Sequence, residues 1–338
     1  MYSLLNDYSE GAHPLVLQAL IDTNSNQTVG YGMDEICSEA KSLIQDKVGY
    51  NTDIHFVVGG TQANATVIAS ILRPYQAVIA TNEGHINVHE TGAIEATGHK
   101  VLTVLHQEGK LTVAGIDSVV KAHTDEHMVQ PKMVYISQTT ELGSYYTLDE
   151  LKAIYEYTSS HGLYLYIDGA RLGSALVLED APNFKQMAKY SDVFTIGGTK
   201  MGALFGEAIV IVNDELKKDF RYHIKQRGGM LAKGRLLGVQ FKALFENDLY
   251  LQIGAYENQL SMMIKDALLS AGYQLVANSY TNQVFVDMKN DDIHKIEEEF
   301  MITKMQPISD EITRVRFVTS WATKKEKVEE LCQIIKSL

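Results

Sequence analysis

The chain has 338 residues, of which 45% are hydrophobic and 21% charged, so it can bury a large core and has room for roughly two domains. Its net charge of −12 argues against nucleic acid or an anionic membrane as the main partner, and its one dense basic run, Lys324, Lys325 and Lys327, is interleaved with Glu326, Glu329 and Glu330 as on a solvated helix face. Cys37 and Cys332 offer neither a disulfide framework nor a metal-ligand spacing, no secretory leader opens the chain and no window is long enough to span a membrane, a combination that fits a reducing cytoplasm.

In chain order, short apolar and β-branched runs predict strands at 54–58, 77–80, 100–105, 133–137, 163–168, 192–197 and 208–212. Apolar residues at helical spacing lie between them, as in 61–72, 115–123 and 148–160, and Thr147 with Glu150 forms a capping box ahead of the last of these. Strands alternating with helices predict an α/β fold with a mostly parallel sheet flanked by helices. Beyond residue 213 the pattern changes. Long helices are expected over 214–226, 231–246 and 250–271, then strands at 283–288 and 314–319 and helices at 291–300 and 324–337. This predicts a large domain over 12–250 and a smaller C-terminal α+β domain over 251–338, joined by residues 1–11.

In an open α/β sheet, ligands bind beyond the carboxyl ends of the strands, and three loops fall there. In "VVGGTQAN" (57–64) a strand runs into Gly59 and Gly60 and a helix starts near Thr61. The glycines allow close approach, and free amides at a helix start attract an anion; the plain alternative is a turn with Thr61 as N-cap. In "LYLYIDGARLGSA" (163–175), Asp168 ends an apolar strand and Arg171 follows three residues on. A partly buried carboxylate there needs a partner, either Arg171 or a ligand. In "TIGGTKMGALFGE" (195–207), Lys200 stands alone in a glycine-rich turn. The spacing is wrong for a P-loop, and no Ser or Thr follows the lysine. Glycines instead leave room for a bulky group beside a nucleophilic amine.

Together a lysine, a strand-end carboxylate and a helix N-terminus are the parts that hold pyridoxal 5'-phosphate. Lys200 is its covalent anchor, Asp168 the partner of the ring nitrogen, and Gly60 and Thr61 the phosphate contacts. No metal is expected.

With these parts in place, the chain resembles the threonine aldolase/β-eliminating lyase family of fold-type I pyridoxal phosphate enzymes over nearly its whole length. "GGTQAN" resembles the family's phosphate loop, "IDGARLGSA" its strand end, and "GGTKMGA" its lysine loop; "VGYGMDE" (29–35) and "RFVTSW" (316–321) resemble two further segments in the same order. The resemblance implies a homodimer or homotetramer with active sites near subunit interfaces. It also implies a small amino-acid substrate, with retro-aldol cleavage of L-threonine or L-allo-threonine. By position, His85 of "NEGHINVHETGA" (82–93) would stack on the pyridine ring, Arg171 would bond near its phenolic oxygen, and Arg316 with Asn6 would hold the substrate carboxylate.

The departures concern the substrate side chain. A second active-site histidine of the family is replaced by Thr140 in "SQTTELG" (137–143), leaving His85, His89, Glu90, Glu141 or water as the base for the β-hydroxyl. An arginine on the phosphate side becomes Leu231 in "RGGMLAK" (227–233), with Lys225, Arg227 or Lys233 as substitutes. Other reactions of the same cofactor (β-elimination, transamination, racemisation) stay open, as does a non-catalytic cofactor-binding role.

Overall fold

The computed structural model describes residues 1–338. Its central sheet has seven strands: β1 (Asp53–Val57), β2 (Gln76–Thr81), β3 (Lys100–Val104), β4 (Gln130–Ser137), β5 (Tyr164–Asp168), β6 (Val193–Gly197) and β7 (Glu207–Ile211). They lie in the order β1-β7-β6-β5-β4-β2-β3. Only β7 runs against the others, pairing antiparallel with both β1 and β6; the remaining pairs are parallel.

Both faces of the sheet are covered, and so its strands are apolar on both sides. Along β7, Ala208 and Val210 enter one core with Leu165, Ile167 and Phe241. Ile209 and Ile211 enter the opposite core with Val67, Tyr135 and Tyr166. The predicted capping box forms: Thr147 accepts from the Glu150 amide while the Glu150 carboxylate accepts from the Thr147 amide.

A three-stranded antiparallel sheet lies toward the C-terminus, with β8 (Gln283–Lys289) and β9 (Thr303–Pro307) flanking β10 (Ile312–Val318). It packs on a third core that includes Leu260, Ile264, Val286, Phe317 and Leu331. Leu4 belongs to that core, and Tyr2–Ser3 pairs in parallel with Phe300–Met301. The helix Leu249–Ser270 serves two cores: Leu249, Tyr250 and Ile253 pack in the first, Leu260 to Leu268 in the third.

Two sequence expectations are corrected. The helix expected over 214–226 is broken into a turn at Asp214–Leu216 and a helix Phe220–Gln226, because Asp219 adopts φ 59°, which ends helical propagation. Strand β9 was not anticipated, since "TKMQP" is largely exposed and lacks apolar alternation; it is an edge strand, where Pro307 is tolerated.

Candidate active site

The carboxyl ends of β1, β5 and β6 bring the three loops together. Beyond β1, the helix Gly60–Ile71 starts with Gly59 in extended backbone and no side-chain cap. Thr61 is therefore inside the first turn and is not the N-cap. A Cβ on Gly59 or Gly60 would meet nothing within 4 Å, so the uncapped amides face open space, as an anion site requires. Gln62 ties this turn to the 227–229 segment: its Nε2 donates to the Arg227 carbonyl at 3.0 Å. Lys225 instead lies over the Tyr31 ring at 5.0 Å, and Lys233 is exposed.

At the end of β5, Asp168 is 6% exposed. Its Oδ2 accepts from Tyr135 Oη at 2.7 Å and Asn64 Nδ2 at 3.0 Å, and Oδ1 accepts from the Ala170 amide at 2.9 Å. The parallel register Ser137↔Asp168 explains the tyrosine: Tyr135, two residues back on β4, shares the Asp168 face.

The Asp168–Arg171 ion pair considered from sequence does not form. Arg171 pairs with Asp7, Nε to Oδ2 at 2.6 Å and Nη2 to Oδ1 at 3.1 Å. Burial alone would raise the Asp7 carboxyl; Arg171, then Lys200 and the hydrogen bonds outweigh it and hold it below its ordinary value. Asn282 also donates to Asp7 Oδ2, at 2.8 Å. Asn6, one residue earlier, keeps its Oδ1 in a local turn, accepting from the Tyr8 amide at 3.0 Å and Ser9 Oγ at 3.1 Å.

Lys200 sits in the turn Thr199–Met201 just past β6. Burial, then the Arg171 charge, lowers its proton affinity, against the pull of Asp7, Asp168 and Glu207. An amine that holds its proton less tightly is more readily available as a nucleophile. Glu207, opposite Gly197 and Val57 in register, is buried with Oε2 lacking any partner. Burial, then Asp168, pushes its carboxyl well up despite Lys200.

His85 opens a short helix after β2. Its Nδ1 meets Glu90 Oε1 at 2.8 Å, and its amide donates to Glu141 Oε1 at 2.9 Å. Glu90 Oε1 also accepts from Asn64 Nδ2 at 2.6 Å, so Asn64 links His85 to Asp168. The Thr140 hydroxyl is turned to Ser144 Oγ at 2.7 Å in a buried contact. Arg316 is held by the Leu5 carbonyl at 3.1 Å and Gln283 Oε1 at 3.4 Å. No carboxylate pairs with it, and its Nε is buried without a partner.

Sequence reasoning passed over Asn64, Tyr135, Glu207 and the pairing of Asp7. Asn64 and Glu207 both stand inside the motifs already singled out. Tyr135 carries no local mark, because a tyrosine within an apolar strand reads as core.

A lysine, a strand-end carboxylate and an uncapped helix start at one edge of a mostly parallel sheet define an enzyme of fold type I, the aspartate aminotransferase-like architecture. A Thermus thermophilus aspartate aminotransferase has the same fold, with a TM-score of 0.73 at 13% identity over 100% of this chain and 91% of that one. Residues 8–291 match the family model for beta-eliminating lyase, and the chain belongs to that family. It is 31% identical over 337 residues to the low specificity L-threonine aldolase of a Pseudomonas species, covering 98% of this chain and 96% of the relative. It also matches the solved threonine aldolase of Leishmania major, with a TM-score of 0.98 and 44% identity over 100% of this chain and 99% of that one.

Proposed function

We propose that this chain is a pyridoxal phosphate-dependent lyase that cleaves the Cα–Cβ bond of an L-β-hydroxy amino acid, L-threonine or L-allo-threonine, to glycine and an aldehyde. The observation that carries this reading is the convergence of Lys200, buried and drawn toward its neutral form, with Asp168 and the open, uncapped start of the helix Gly60–Ile71. These residues fit the cofactor: Gly59 and Gly60 leave the space beside the helix start open, and the first-turn amides would hold its phosphate with Thr61 and Arg227 alongside. The glycines of the lysine turn, expected to leave room there, instead pack against protein, a Cβ on Gly197 lying 2.3 Å from the Ala170 carbonyl oxygen.

When bound, pyridoxal phosphate supplies a sink for the electron pair left on Cα as the Cα–Cβ bond breaks. Lys200 Nζ would be its covalent anchor, with burial favouring the neutral amine that the link needs. Asp168, held by Tyr135, Asn64 and the Ala170 amide, would accept the hydrogen bond of the ring N–H. His85, fixed at Nδ1 by Glu90, would cover the ring. Arg171, anchored by Asp7 through Nε and one Nη, would offer its remaining N–H groups to the ring's phenolic oxygen. Arg316, which has no carboxylate partner within the chain, would turn its planar fork to the substrate carboxylate, with Asn6 nearby in sequence on the side of Leu5.

The same reading includes a homodimer or homotetramer, supported by exposed apolar side chains at Leu15, Leu17, Ile21, Val29, Tyr31 and Met33. It includes a cytoplasmic location, supported by two unpaired, buried cysteines; no helix is long and apolar enough to cross a membrane.

The test is product analysis. The cofactor-loaded protein is mixed with L-threonine and with L-allo-threonine, and glycine and acetaldehyde are measured together. Equal amounts of both, lost in Lys200→Ala, are expected. A 2-oxo acid or the opposite enantiomer in their place would replace cleavage by elimination, transamination or racemisation.

A further inference from the structure

The aldol reading leaves one proton without a destination. Cleavage of the Cα–Cβ bond needs a base for the β-hydroxyl, and the position held by Thr140 cannot supply it, since its hydroxyl is buried against Ser144. Glu141 Oε1 accepts from both the His85 amide at 2.9 Å and Ser137 Oγ at 2.6 Å. Glu90 Oε1 is shared by Asn64 and His85, and its side chain is fully enclosed. His85 is held through Nδ1 by Glu90 and takes the ring-covering position.

Glu90 Oε2 has no partner either, but it is sealed from solvent and from substrate; His89 is the group in this cluster whose side chain is both accessible and free of hydrogen bonds. His89 follows His85 by four residues, one helical turn, so the two rings share a side, with centroids 5.5 Å apart. Its backbone amide closes the turn on the His85 carbonyl at 2.9 Å. Its ring takes part in no hydrogen bond and is solvent-accessible. The charged groups that act on it are His85 and Glu83 from its own segment, Arg316 from β10 and Lys200 from the lysine turn. Partial burial, then His85, with Arg316 and Lys200 adding to them against Glu83, lowers its proton affinity. At neutral pH it is therefore an imidazole able to accept a proton, within the electrostatic reach of the residues proposed to hold cofactor and substrate carboxylate.

We propose that His89 is the catalytic base for the β-hydroxyl, in the place the sequence leaves open at Thr140. This rests on the aldolase reading above. The substrate O–H bond breaks and its proton passes to a ring nitrogen of His89. The O–H electron pair becomes the second bond of the aldehyde carbonyl as the Cα–Cβ bond opens. The electron pair on Cα then takes up a proton, giving glycine, and the proton lost from oxygen equals the one gained at carbon.

The experiment compares wild type and His89→Asn as cofactor-loaded proteins in three readouts: L-threonine cleavage, glycine affinity from the cofactor's absorbance, and exchange of the glycine α-proton with deuterated solvent. Glycine has no β-hydroxyl, so only the first needs this base. Cleavage is expected to fall by about 10²–10⁴-fold, with glycine affinity and exchange kept. Added imidazole should restore part of the rate to His89→Gly, and the acid limb of the wild-type kcat profile should vanish in His89→Asn. Should His89→Asn not load cofactor, His89→Gln carries the same comparison. Undiminished cleavage, or cleavage and glycine exchange lost in parallel, overturns the assignment while the aldolase reading stands. No aldehyde from any β-hydroxy amino acid with wild type would overturn the aldolase reading and this assignment together.

Discussion

Asp7 and Arg171, 164 residues apart in sequence, meet in a buried two-point ion pair, with Nε 2.6 Å from Oδ2 and Nη2 3.1 Å from Oδ1. The pair fastens the N-terminal segment, which also adds a strand beside Phe300–Met301, onto the loop that follows Asp168. Asp7→Asn leaves the Arg171 charge without its partner. A loss of about 3–5 kcal/mol is expected, read from urea unfolding of wild type and variant. The folded Asp7 carboxyl lies below its unfolded value. Its stabilising effect is thus complete above the unfolded value of about 3.9 and disappears as pH falls through the folded one. The gap between wild type and Asp7→Asn should therefore close on acidification; a gap constant down to the acid transition would refute this assignment.

Glu207 shows the opposite sign. It is buried, Oε2 has no partner, and burial followed by Asp168 raises its carboxyl. A carboxyl that binds its proton more tightly when folded loses stability as pH rises from the unfolded value toward the folded one. Glu207→Gln removes that titration while keeping the shape. The variant should gain on wild type as pH climbs from about 4.3, by roughly 1.4 kcal/mol for each unit of the raised pKa traversed. Melting temperatures of both proteins across that range decide it, and parallel curves would mean that Glu207 binds its proton no more tightly in the folded protein than in the unfolded chain.

Arg316 has no carboxylate partner within the chain, and burial, then Arg171, lowers its proton affinity. A substrate carboxylate would relieve both conditions. Arg316→Lys keeps the charge and loses the planar fork. Loss of one charge-assisted hydrogen bond, about 1.5–3 kcal/mol, corresponds to roughly a 10- to 150-fold rise in KM. The cofactor's absorbance should be unaltered. An unchanged KM would remove Arg316 from substrate binding.

The helix Leu249–Ser270 crosses the short helix Leu172–Leu176 at two glycines, and a Cβ on Gly254 would lie 2.2 Å from the Gly173 carbonyl oxygen. Backbone cannot yield as a flexible side chain can. Gly254→Ala should cost about 1–3 kcal/mol in unfolding free energy, and it should weaken cofactor retention by displacing the loop that carries Arg171. A variant with wild-type stability would show that the two helices can separate without penalty.

The local chemistry of the site was legible in the chain. Asp168 ends a strand, and Gly59, Gly60 and Lys200 lie within three residues of a strand's end, so strand periodicity alone sets them at the carboxyl edge of the sheet. Gly202 and Gly206, with φ of 91° and 132°, give the lysine turn backbone conformations that disfavour other residues, and glycine marks such turns in the sequence. The alternation of strands and helices likewise determined the sheet, because hydrophobic period is a property of neighbours in sequence. Partner choice was not legible. Arg171 pairs with Asp7 and not with Asp168; Tyr135 reaches Asp168 only through the register of β4 on β5; Asn64 bridges Glu90 and Asp168 across a helix and two loops. Those contacts depend on strand order, register and the docking of the N-terminal segment, which are fixed by packing between residues far apart in the chain. The sequence by itself determined which groups carry the chemistry and at which edge of the sheet they stand, since both follow from local pattern. Only the tertiary structure decided which charge meets which, and so which proton affinities are shifted, because burial and ion pairing arise from distant segments meeting.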